Sequence, residues 1–124
     1  MTSHYETNLD RVDANTQALS PVNFLQHTAA IYPDNVAVIH GLEKTNYRQL
    51  FQRCRRLASA FEKRGIAKGS TVSIVAPNIP AHLEAHFAVP MTGAVLNSIN
   101  VRLDAKTIAY IFDHGESDMV LVDG

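Results

Sequence analysis

The sequence has no tryptophan, a single cysteine, six dispersed glycines and almost no net charge. Each scarcity excludes something. One cysteine, Cys54, rules out an internal disulfide, and its place on the apolar stripe of an expected helix points to a buried structural thiol. A formal net charge of -1 exerts no global pull toward nucleic acid or anionic lipid. No apolar run approaches the roughly 20 residues of a membrane span. The opening MTSHYETNLDRVDANTQALS has neither a basic start nor an apolar core, so no secretory signal is read. A soluble, cytoplasmic protein is expected, with a peroxisomal signal beyond Gly124 left open.

The glycines are also too scattered to make a phosphate loop. Both G-x-G-x-x-G and G-x-x-x-x-G-K-[ST] work by presenting successive backbone amides to phosphate, and neither occurs. Gly65, Gly93 and Gly115 each follow an expected helix and read as stops. No Ser, Cys or Thr stands with a histidine and an acid in a nucleophile pattern. The residue pattern alone therefore assigns no catalytic residue.

What is present is a regular alternation of apolar strands and amphipathic helices. Residues 1–19 are polar and aperiodic and read as an extended or disordered lead-in. Ser20 and Pro21 open a first helix to about residue 32, with Phe24, Leu25, Thr28 and Ile31 on one face. Val36 to His40 reads as a strand, Gly41 to Lys44 as a turn and Thr45 to Tyr47 as a short returning strand, making a hairpin. The helix YRQLFQRCRRLASAFEKRG then places Leu50, Phe51, Cys54, Leu57, Ala58 and Phe61 at helical spacing. Its other side carries Arg48, Arg53, Arg55, Arg56, Lys63 and Arg64 against Glu62 alone. A solvated face is expected rather than a nucleic-acid or membrane surface, because no exposed aromatics are interleaved.

The central stretch TVSIVAPNIPAHLEAHFAVPMTGAVLNSINVRL reads as a βαβ unit. Thr71 to Ala76 is a strand covered on both faces, Asn78 offers a helix cap, and Pro80 suits the first turn. Leu83, Phe87 and Met91 recur every four residues as the expected buried stripe, and Ala94 to Ile99 is the second strand. Asp104 caps a last helix, Ala105 to His114, with Ile108, Ile111 and Phe112 inward, and Asp118 to Asp123 is a third parallel strand. His82 and His86 lie four apart and share a face, a spacing able to chelate a metal, but no third ligand follows and no metal site is assigned. A kink at Pro90 is the expected specialisation of that helix. The fold class is α/β, with βαβ units, a mainly parallel sheet covered by helices and a short hairpin.

The stretch APNIPAHLEAHFAVPMTGAVLNSINVRLDAKTIAYIF resembles the amino-terminal region of AMP-forming acyl-CoA synthetases, the acyl-adenylating superfamily. FLQHTAAIYPDNVAVIHG resembles that family's opening helix and first strand, TNYRQLFQRCRRLASAFEKRGIAKGSTVSI its second block, and MVLVDG its next strand. The resemblance covers about residues 19 to 124. HFAVPMTGAVLNSIN with VRLDAKTI is similar to the branch that activates short-chain, medium-chain or aromatic acids.

The resemblance implies two-step chemistry, in which a carboxylic acid and ATP form an acyl-adenylate with the help of Mg2+, and the thiol of coenzyme A then displaces AMP. The phosphate loop, ribose-binding aspartate and catalytic lysine that it implies lie downstream of this stretch. The isolated chain is therefore expected to be the incomplete amino-terminal portion of a larger synthetase domain, spanning 20–124. It is expected to be inactive and to bind ATP, Mg2+ or coenzyme A only weakly. One site residue carries over: Arg102, in NVRL, implied to meet a coenzyme A phosphate. Val101 stands where the family often has proline, and pairing of Arg102 with Asp104 is the alternative. The other functional reading is a free-standing, non-catalytic α/β interaction module that binds a partner through its exposed sheet edge or basic helix, and self-association through an uncovered sheet edge is left open.

Overall fold

The computed structural model describes residues 12–14 and 16–124. Most of the expected lead-in, residues 1–11 and 15, lies outside them. Five strands and four helices follow Ser20 in the order α1 (Pro21–Ile31), β1 (Val36–His40), β2 (Glu43–Asn46), α2 (Tyr47–Glu62), β3 (Thr71–Val75), α3 (Pro80–Met91), β4 (Val95–Ile99), α4 (Ala105–His114) and β5 (Met119–Val122). The βαβ reading holds. β3 pairs in parallel with β4 on one side and with β5 on the other, giving the order β4-β3-β5.

Local sequence sets most of the boundaries. The Ser20 hydroxyl accepts from the Val22 amide and Pro21 occupies the first helical turn of α1. β1 and β2 pair antiparallel around Gly41 and Leu42, with Gly41 at φ +59 where a side chain would be strained. The returning strand therefore starts at Glu43 rather than Thr45. Asn46 ends β2 and also caps α2, accepting from the Gln49 amide at 2.8 Å while the Gln49 side chain returns a bond to the Asn46 amide at 3.0 Å.

α3 departs from expectation at both its cap and its buried face. Pro80 sits at the first helical position and forces extended backbone on the residue before it, so Ile79 becomes the cap, with no side-chain bond, and Asn78 lies one residue too early. The residues it buries are Glu84, Ala85, Ala88 and Val89, while Leu83 is exposed and Phe87 and Met91 are half-buried. The reason is that α3 is wedged between the sheet and α2. Ala88 and Val89 join Val72, Ala58 and Phe61 on one side, whereas Phe87 and Met91 lean on Leu25, Leu50 and Cys54 beneath α1 and α2. Pro90 stands next to the helix's last residue, so its missing amide affects the final turn rather than the middle.

The two faces of the sheet differ. Val72 and Ile74 point toward α2 and α3 and form the core with Leu96, Met119 and Leu121. Ser73, fully buried, points to the other face, where it bonds Asn97 of β4 at 2.9 Å and Ser117 at 2.6 Å. α4 ends against this polar patch, and Gly115 lies so close to Asn97 that a Cβ there would meet its amide at 3.0 Å. Ile108, Ile111 and Phe112 make the inward side of α4 as expected, though only half-buried.

Candidate functional site

Parallel sheets leave ligand clefts beyond the carboxyl ends of their strands, and two adjoining clefts open there. The first, about 470 Å³, is walled by Val38 and Ile39 of β1, by Ile79, Pro80 and Leu83 around the start of α3, and by His40, His82 and His86. The second, about 500 Å³, runs along the ends of β3 and β4 from Ala76 and Pro77 to Asn100, Val101 and Arg102. Asn78, His82 and Ser98 line both. Among the described residues no Asp or Glu lines either cleft, and the second offers an imidazole, a guanidinium, two amides and a hydroxyl.

The loop after β4 is built to present Arg102. The Asn100 side chain accepts from the Arg102 amide at 2.9 Å, and the Leu103 amide closes a turn onto the Asn100 carbonyl at 3.3 Å. Asp104 does not pair with Arg102. Its carboxylate instead caps α4, accepting from the Thr107 hydroxyl at 2.6 Å and the Thr107 amide at 3.0 Å. Those two bonds, the hydroxyl first, hold its pKa below the ordinary carboxylate value. Among the described residues the two ion pairs are Arg48 with Asp34 and Arg53 with Glu84, and neither involves Arg102.

The sequence pattern offers His82 only as a candidate metal ligand, and the structure gives it other partners. Its Nδ1 lies 3.2 Å from the Pro77 carbonyl and its Nε2 2.9 Å from Ser98 Oγ. A carbonyl oxygen can only accept, so Nδ1 carries the hydrogen and the neutral ring takes the Ser98 hydroxyl hydrogen at Nε2. A serine does therefore stand beside a histidine, sixteen residues away in sequence, because parallel pairing brings the end of β4 under the start of α3. The third partner is a carbonyl rather than an acid, so no nucleophilic triad results. His86 bonds its Nδ1 to the His82 carbonyl at 2.8 Å, with the two rings 5.1 Å apart. Among the described residues no three His, Cys, Asp or Glu side chains stand close enough to hold a metal ion, and no step through Mg2+ is assigned to them.

Cys54 and several arginines of α2 are taken up by contacts within the fold. Cys54 is fully buried, and burial foremost, with Glu84 adding and Arg53 opposing, pushes its thiol up to about 12. The basic side of α2 is partly committed. Arg48 pairs with Asp34 at 3.1 Å, Arg53 with Glu84 at 2.6 Å, Arg55 lies over the Phe51 ring, and Arg64 bonds the Ala60 carbonyl. Neither acid is near its partner in sequence: Asp34 lies in the connection before β1 and Glu84 on α3.

The AMP-binding enzyme family pattern matches residues 25–124. The chain belongs to that family. It is 51% identical over 115 residues to the peroxisomal acetate/butyrate-CoA ligase AAE7 of Arabidopsis thaliana, covering 93% of this chain and 20% of that protein. It is 48% identical over 110 residues to the acetate-CoA ligase CCL3 of Humulus lupulus, covering 89% and 19%. Its fold matches the Klebsiella oxytoca NpsA N-terminal subdomain in complex with 3-hydroxyanthranilyl-AMSN, with a TM-score of 0.79 at 23% identity, over 84% of this chain and 27% of that one. The chain thus spans about a fifth of the length of the curated relatives it matches. Among its described residues no helix is long and apolar enough to cross a membrane.

Proposed function

We propose that the chain is the amino-terminal scaffold of an AMP-forming acid-thiol ligase that activates a short or aromatic carboxylic acid with ATP and Mg2+ and passes the acyl group to coenzyme A. In this reading the clefts beyond β3 and β4 form one end of the coenzyme channel, and Arg102 meets a phosphate of coenzyme A. The observation that carries it is the placing of Arg102 on a cleft where, among the described residues, no carboxylate lines the wall and the guanidinium is in no ion pair. A guanidinium suits phosphate because its planar donors make paired charge-assisted bonds. A cytoplasmic or peroxisomal setting accords with the relatives, whose names include peroxisomal enzymes.

The test separates the two half-reactions. In a ligase that contains this sequence, Arg102→Ala is expected to raise the KM for coenzyme A about tenfold or more while leaving ATP-pyrophosphate exchange driven by the acid unchanged. An unchanged KM for coenzyme A would sink the assignment.

A further inference from the structure

We infer that His82 and Ser98 form a proton-controlled donor pair beside Arg102, so that anion binding in the second cleft is coupled to protonation of His82. The inference rests on the phosphate reading of that cleft and adds its regulation. With neutral His82 the Nδ1 hydrogen is committed to the Pro77 carbonyl and the Ser98 hydrogen to Nε2, so neither side chain offers a donor to the cleft. Protonation reverses the second bond. Nε2–H then donates to Ser98 Oγ, and the Ser98 hydroxyl hydrogen is released to turn toward the cleft that both residues line. One proton therefore adds a positive charge and frees a donor at the same place, and a bound anion favours that state in return.

The surroundings favour this coupling. The titratable and charged groups around His82 are His86 on its own helix, His40 from β1 in the adjoining cleft, and Arg102 in the loop after β4. Among the described residues no Asp or Glu lines either cleft to hold the imidazolium when the anion is absent. The anion supplies the missing counter-charge.

Two probes test the idea on the 124-residue chain by amide and imidazole NMR titration at about pH 8 and about pH 5.5. Inorganic sulfate keeps its charge across that range, so its pH dependence reports the protein alone. Sulfate affinity is expected to rise about tenfold on acidification in the wild type, and the rise is expected to shrink to about twofold or less in a natively folded His82→Gln variant. His86→Gln is expected to keep most of the rise, and Ser98→Ala to lose part of it. Absence of any rise in the wild type, or its full retention in His82→Gln, overturns the inference. Adenosine 3′,5′-bisphosphate, the nucleotide end of coenzyme A, tests the underlying reading separately. Weakening by Arg102→Ala at both pH values supports that reading, whereas no bisphosphate binding alongside His82-dependent sulfate binding removes the coenzyme while leaving the proton-controlled anion site.

Discussion

Arg53 and Glu84 tie α2 to α3 through a bond whose two ends sit in different surroundings. The Arg53 side chain is 57% exposed and that of Glu84 only 9%. The bond to Glu84 raises the Arg53 pKa further, so the guanidinium stays charged at every working pH. The two single substitutions should therefore not cost the same. Arg53→Ala leaves a buried carboxylate without its partner and is expected to destabilise the chain by about 2 kcal/mol. Glu84→Ala removes the buried charge, and the half-exposed guanidinium turns back to water, for about 1 kcal/mol or less. Chemical denaturation of the two variants and the double variant checks this, with the double expected to resemble Glu84→Ala alone. Equal losses would show that the bond acts as an ordinary surface pair.

At the scale of the element, α4 depends on its cap more than the other helices do, because it buries no residue fully. Its first turn is held by the Asp104 carboxylate, whose pKa is depressed by its bonds to Thr107. A depressed carboxylate contributes stability that is complete above its unfolded pKa, about 3.9, and is lost as pH falls through the lower folded value. Amide exchange in the first turn of α4 is expected to quicken as pH drops from about 5 toward 3, after correction for intrinsic rates. Asp104→Asn, which keeps an acceptor that does not titrate, should flatten that dependence. The sequence made this cap legible, as it did the apolar stripe of α2, because both depend on near neighbours in the chain. α3 was less legible: its residues are apolar on nearly every side, so spacing alone could not tell that Ala88 and Val89, rather than Leu83, would meet the sheet. Nor did a strand of β-branched residues reveal that Ser73 at its centre would be satisfied by Asn97 and Ser117.

At the scale of the whole molecule, the position of the clefts was legible from the βαβ pattern, and Arg102, singled out through its NVRL context, lines the second of them. The pairing of His82 with Ser98 was not, since it arises only when β4 aligns beside β3. The same sheet has a less protected side. β4 and β5 each pair with β3 alone among the described strands, and on the face opposite α2 and α3 they leave Val95 57%, Val120 40% and Val122 70% exposed. An apolar face beside an unpaired edge invites pairing with another strand. The matched relatives are about five times as long as this chain, which is reason to expect such a face to be covered in a longer ligase. The 124-residue chain alone is therefore expected to self-associate, with sedimentation velocity showing dimers or larger species that grow with concentration. Val120→Lys and Val122→Lys should restore the monomer without changing helix content, because lysine on an edge strand makes continued pairing costly. A wild-type chain that stays monomeric up to about millimolar concentration would mean that α4 and the polar patch around Ser73 shield the sheet well enough by themselves.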